Sequence, residues 1–253
     1  MKAPANNKFL SLLAIAAGLL CAAARFFLYA FGYDEQGLMK NTHFQHILCW
    51  IVAAGFGAYT ALTLRKAKLP AAYEENFLSG RSMTFLAVLV PLWFLASAFE
   101  TPEQVTDRLT LSRAVLSFAV VPCFAVTCCF QIRGKRPVFL LHGIICVFFM
   151  VDMICRYRPW SGNPQLADYS FHLMACIFLT LTAYYRTAFD VDLSSPRMFR
   201  FCSLMAIFFC FGSLVGPEDA QFYIGGALWA VSGLCPSEPS AQPVPEAGEG
   251  GNA

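Results

Sequence analysis

The chain has 253 residues, of which 57% are hydrophobic, 15% aromatic and only 13% charged. A soluble domain carries about 25% charged residues, so these charges are too few to cover a water-soluble globule. A net charge of +2 excludes nucleic-acid binding by mass charge, and the composition also excludes disorder and an ordinary cytosolic enzyme. It describes a multi-spanning membrane protein, and 25 Phe with a mean hydropathy of +0.55 point the same way.

A bilayer core about 30 Å thick takes roughly 20 apolar residues of helix. In chain order, such runs predict eight spans: Phe9–Phe31, His46–Leu64, Met83–Phe99, Leu111–Phe130, Val138–Cys155, Tyr169–Tyr185, Phe199–Val215 and Gln221–Cys235. The runs are continuously apolar, whereas a barrel strand alternates lipid-facing and lumen-facing residues. The predicted fold is therefore all-α, a polytopic bundle in one domain over residues 1–235. Lys2, Lys8 and the small residues Ala22–Ala24 would suit a cleaved signal peptide. The apolar run continues through Phe26, Phe27 and Leu28, which favours a retained anchor. Ala53, Gly57 and Ala61 form a small-residue row in the second span, and Gly226 and Ala230 another in the eighth. Such rows let helices approach closely, within the bundle or between two copies of the chain. Pro91 and Pro122 fall near the middles of the third and fourth spans and read as kinks, since neighbouring helices can satisfy the freed backbone groups. The eighth run is short and rich in Gly and Ser, so it is either a tightly packed helix or a re-entrant segment. Residues 236–253 carry Glu238, Glu246 and Glu249 without a base and read as a disordered acidic tail.

Lys and Arg placement gives the orientation. With the N-terminus inside, twelve basic residues fall on inner segments: Lys2, Lys8, Arg65, Lys66, Lys68, Arg81, Arg133, Lys135, Arg136, Arg186, Arg197 and Arg200. Five fall outside: Lys40, Arg108, Arg113, Arg156 and Arg158. The expected location is the cell membrane, multi-pass, with a cytoplasmic N-terminus and, if the eighth run crosses, a cytoplasmic C-terminus.

All eleven cysteines lie inside predicted spans and there is no C-x-x-C, so they read as small packing residues and not as a disulfide framework. No Walker or G-x-S-x-G motif occurs and no Lys lies mid-span. No cofactor is expected.

The informative residues are those a bilayer rejects, because a charge at its centre costs at least ~2.5–3.5 kcal/mol and usually faces the bundle interior. Arg25, Asp152 and His172 lie in the outer parts of the first, fifth and sixth spans. His43 and His46 open the second, Glu100 closes the third and Arg113 opens the fourth, while only His142 falls in the inner half. The inner half thus reads as nearly free of charge. Gly18, Cys21, Arg25, Tyr29 and Gly32 keep helical spacing, which turns Arg25 toward protein. Asp152 and Arg156 are four apart, the spacing of a same-face ion pair. The bland alternative is that the arginines snorkel to headgroups and Asp152 only pairs with Arg156. Taken together, Arg25, Asp152, His172, Arg113 and Glu100 suggest a polar cavity open to the outside. His43 and His46, three apart, would suit two metal ligands on one helix face, with His172 and Asp152 or Glu100 completing a set.

Arg25 to His43, RFFLYAFGYDEQGLMKNTH, is the most distinctive stretch. Through Arg25, Tyr29, Gly32, Asp34, Gly37, Leu38 and His43 it resembles the opening of an uncharacterised family of bacterial multi-spanning membrane proteins. The resemblance covers about twenty residues and implies a polytopic membrane protein without implying a substrate. Read on its own, Gly32-Tyr33-Asp34 with Gly37 is a helix stop and turn.

The expected function is a transport or solute-binding component. Arg25 would attract an anionic or carboxylate-bearing group, with Asp152 and His172 as proton or hydrogen-bond partners. The alternatives are a non-catalytic accessory subunit of a membrane complex, in which the same charges clamp helices, and behind it an intramembrane enzyme acting on lipid or an envelope precursor. Expected partners are the lipid bilayer, a small-molecule solute, and a membrane-protein partner or second copy.

Overall fold

The computed structural model describes residues 7–31, 43–67, 69, 77, 81–99, 108–133, 135–161, 169–193, 195–215 and 220–234. These residues form eight α-helices and no strand: α1 (Asn7–Phe31), α2 (His43–Lys66), α3 (Arg81–Phe99), α4 (Arg108–Ile132), α5 (Phe139–Trp160), α6 (Ser170–Asp190), α7 (Pro196–Gly212) and α8 (Ala220–Leu234). Four contain segments long and apolar enough to cross a membrane: Phe9–Phe27, His46–Lys66, Leu111–Ile132 and Phe139–Arg158. Their exposed positions are apolar too, among them Leu20 and Phe27, Ile47 and Ile51, Val115 and Phe118, and Val147 and Ile154. Apolar surface on this scale suits lipid and not water.

Each predicted span coincides with a helix, with shifted ends. α6 runs five residues past Tyr185 to Asp190, and α7 stops at Gly212 with Ser213 to Val215 in a turn. Pro91 and Pro122 lie inside continuous helices. The 32–42 turn, Glu100, Cys235 and the 236–253 tail lie outside the described residues.

The packing is a ring with an appended pair. α3, α4, α5, α6, α7 and α8 each pack on the next, and α8 closes back on α3. α1 and α2 pack on each other and on α7, which therefore has neighbours on nearly every side. Cys202 through Cys210 of α7 are all buried. Aromatic rings fill the space among α3, α4, α5 and α8. Phe94 stacks on Phe124 at 4.5 Å, and Phe149 and Phe124 meet Trp229 at 5.2 and 5.9 Å. Lipid tails are as apolar as these rings, so close packing and not exclusion from water holds such helices together.

Glycines mark the closest approaches. A Cβ on Gly18 of α1 would lie 2.7 Å from both the Phe208 carbonyl oxygen and Phe211 Cβ of α7, whereas one on Gly55 would meet nothing within 4 Å. Gly18→Ala is therefore expected to cost about 1–3 kcal/mol through overpacking, while Gly55→Ala gains up to about 1 kcal/mol of helix propensity. Parallel melts in detergent check the opposite signs. In the Ala53–Gly57–Ala61 row, Ala53 is buried and a Cβ on Gly57 would touch Met205 of α7, but Ala61 is exposed. Gly226 and Ala230 are both buried.

Candidate functional site

The buried ionised and histidine side chains of this bundle form two groups, one toward each end. At one end, Asp152 of α5 is 2% exposed and its two oxygens accept from different helices. Arg113 Nε of α4 donates to Oδ1 at 2.8 Å, and Arg156 Nε of α5 donates to Oδ2 at 2.7 Å. The four-residue spacing thus closes as an ion pair on one helix face. The Arg156 guanidinium lies 4.3 Å from the centroid of Phe222 and 5.7 Å from that of Tyr223, both on α8, so aromatic faces share its charge.

Tyr223 continues the chain of contacts, its ring 5.1 Å from that of His172 on α6. Arg25 Nη2 lies 3.4 Å from His172 Nε2. Arginine has donors only, so Nε2 is the accepting nitrogen and His172 carries its proton on Nδ1. Arg25 Nη1 also donates to the Gly212 carbonyl at 2.8 Å. That carbonyl ends α7, where backbone oxygens lack helical partners and the partial charge is negative, so a guanidinium is favoured there. Phe171 lies under the same guanidinium at 5.1 Å. Arg25 is 2% exposed, as the stripe through Gly18 and Cys21 requires.

Arg25, Arg113, Asp152 and His172 therefore belong to one buried network, in which Arg25 touches His172 and Asp152 touches Arg113. Asp152 is linked to His172 through Arg156 and Tyr223. His46 stands beside it: Trp50 Nε1 donates to His46 Nε2 at 3.4 Å, and Trp50 packs 5.2 Å from Phe171. The side chains of His43 and Glu100 lie outside the described residues. Among the described residues no three His, Cys, Asp or Glu side chains group as metal ligands. A groove of about 400 Å³ opens between α1 and α2, but Leu20, Ala24, Phe27, Leu48 and Val52 make it apolar, and Arg25 does not line it.

The other end corrects the expectation that only His142 breaks an otherwise charge-free half. α6 carries Arg186 and Asp190 into the bundle on its final turns. Arg186 is 2% exposed and lies 5.4 Å from the Phe77 ring and 5.3 Å from that of Trp229. Asp190 Oδ2 lies 2.6 Å from His142 Nδ1 of α5, with both side chains fully buried. Gln131 at the end of α4 and Arg200 at the start of α7 are buried at this end as well. Ending the sixth span at Tyr185 had placed Arg186 and Asp190 in a loop. Their signal is the spacing His172, Cys176, Leu179, Ala183 and Arg186, a buried stripe that the buried side chain of Asp190 continues to the end of the helix. Reasoning from the sequence also missed Phe222 and Tyr223 as members of the first network, while the Asp152–Arg156 pair it expected is present.

No family model matches the chain, and neither a curated protein nor a solved structure matches it.

Proposed function

We propose that the chain is an integral membrane protein of eight transmembrane helices, N-terminus in the cytoplasm and multi-pass in the cell membrane, that serves as a transport or solute-binding component. Its site is the network around Arg25. The observation that carries this reading is the placement of Arg25 itself: a fully buried guanidinium from α1, held against a helix-end carbonyl, a neutral imidazole and an aromatic face. Membrane helices retain such a charge at a cost, and interior charges commonly mark solute or ion pathways. A guanidinium recognises a carboxylate by a planar two-point contact. His172 beside it can exchange hydrogen bonds with the same ligand, so a small carboxylate-bearing solute is the substrate class.

Purified protein in detergent tests this against a panel of small mono- and dicarboxylates. A solute at 100 times its Kd stabilises by about 2.7 kcal/mol, which raises the melting temperature by several degrees. Arg25→Ala is expected to abolish that rise. A panel that leaves the melt unmoved, or a rise that persists in Arg25→Ala, overturns the reading.

The double engagement of Asp152 favours a second reading. A carboxylate bridging α4 and α5 through two guanidiniums is a helix clamp, the role such charges would have in an accessory subunit. A stoichiometric membrane-protein partner that co-purifies, together with an unresponsive melt, would support it.

A further inference from the structure

We propose that His142 and Asp190 form a proton-binding site at the end of the bundle opposite Arg25, in which a proton added at His142 Nε2 joins the one already shared with Asp190. His142 lies in the first turn of α5 and Asp190 is the last residue of α6, so the 2.6 Å hydrogen bond ties two antiparallel helices at their tips. Nδ1 donates to Oδ2. His142 Nε2 and Asp190 Oδ1 make no hydrogen bond among the described residues, and both are buried. A proton can therefore arrive at Nε2 or leave it while the bond that joins the helices stays intact.

The charges around the pair follow from its place at two helix ends. The start of a helix carries partial positive charge and its end partial negative charge. His142 stands at the start of α5 and Asp190 at the end of α6. The charged neighbours of the imidazole are Asp190 and Arg186. With Arg186 charged and Asp190 ionised, neutral His142 leaves the trio without net charge, and one added proton makes it +1. The other packed elements add little that would hold one state. Trp229 of α8 lies against Arg186, and Gln131 and Cys128 of α4 are buried. α7 carries the buried Arg200 at this end of the bundle. In the segment leading into α5, Arg136 pairs outside the core with Asp192, Nη1 lying 2.9 Å from both carboxylate oxygens.

Immediately after Asp190 the chain turns through Asp192, at φ 57°, and comes to the surface, with Val191 46% and Leu193 80% exposed. Toward the Arg25 end, Ala183, Leu179 and Cys176 follow along the buried stripe of α6. α8 seals that stretch, since a Cβ on Gly226 would lie 2.7 Å from Leu179 Cδ1. The site is thus separate from the Arg25 network and rests on the membrane-helix fold, not on the solute reading.

NMR of the full chain in detergent, with ¹⁵N-histidine labelling, tests the proposal across the whole pH range in which the protein stays folded. His142→Gln identifies the resonance. The wild-type His142 signal is expected to titrate in this range at Nε2, and Asp190→Asn, which removes the carboxylate and keeps the shape, to weaken its proton affinity about tenfold, one pH unit. A His142 signal that never titrates, or one whose midpoint ignores Asp190→Asn, overturns the proposal and leaves the pair a helix clasp. If His142→Gln fails to fold, the Asp190→Asn spectrum and the wild-type titration still decide, because the other three histidines can be assigned by their own variants. Solute stabilisation measured at one fixed pH on Arg25→Ala is independent of either result.

Discussion

Asp152→Ala is expected to remove about 3–5 kcal/mol of stability, because deleting one partner of a buried ion pair leaves an uncompensated charge behind. The Arg156 side chain is 4% exposed and that of Arg113 is 21% exposed, so the two guanidiniums do not suffer equally. Arg156 stays against Phe222 and cannot reach water, while Arg113 can turn toward the surface. Arg113→Ala should accordingly cost much less than Arg156→Ala, since Asp152 keeps its more deeply buried partner. Replacing the helix-internal pair together, Asp152→Leu with Arg156→Leu, should recover most of the loss seen in Asp152→Ala, because two apolar side chains need no counter-charge. Melting curves of the four variants in one detergent measure the ranking. Hydrogen-bonded pairs in membrane proteins often contribute only about 0.6 kcal/mol, because the unfolded chain in lipid also finds partners. A loss of that size in Asp152→Ala would show that the guanidiniums simply re-pair, and that the network is not what holds α4 against α5.

The helices were legible in the sequence because each coincides with a largely continuous apolar run, and four of those runs are long and apolar enough to cross a membrane. The faces of those helices were legible where a polar residue sits among small ones. Arg25 is placed by Gly18 and Cys21, and Asp152 by the base four residues on. What composition could not show is how far a helix continues once its apolar run is interrupted. Arg186 and Asp190 looked like the start of a loop because hydropathy falls at Tyr185. In the folded chain α6 carries on, and the two charges stay inside because Trp229, Phe77 and His142, from distant parts of the chain, close around them. The same limit applied to Tyr223 and Phe222, which are ordinary aromatics in the sequence. They become part of a charged network only because α8 packs across the ends of α5 and α6. A periodicity argument assigns a face to a residue, but the partner on that face is decided by the tertiary arrangement.

Trp229→Ala tests that arrangement where the two ends of the bundle depend on the same short helix. α8 has only 15 residues, and its sequence suggested either a tight-packing helix or a re-entrant segment. Its Trp229 is 2% exposed and packs on Phe124 of α4 and Phe149 of α5, while the other side of the site holds Arg186 of α6. Truncating a buried Trp in a soluble core costs about 3–5 kcal/mol. In lipid the transfer part of that cost shrinks, because the unfolded helix is also in an apolar medium. The lost dispersion contacts remain, and so does the loss of one of the two rings beside the Arg186 guanidinium, a contact of about 2 kcal/mol when desolvated. The expected loss is therefore about 3 kcal/mol, at the low end of the soluble range. Trp229→Phe keeps a ring in place and should lose less than about 1.5 kcal/mol. If α8 were held mainly by its tips, through Trp93 Nε1 donating to the Gln221 carbonyl at 2.7 Å and Gly233 against Phe199, both variants would melt close to wild type. A clear gap between Ala and Phe in thermal melts would instead show that one indole ties the aromatic interior to the buried charge at the His142 end.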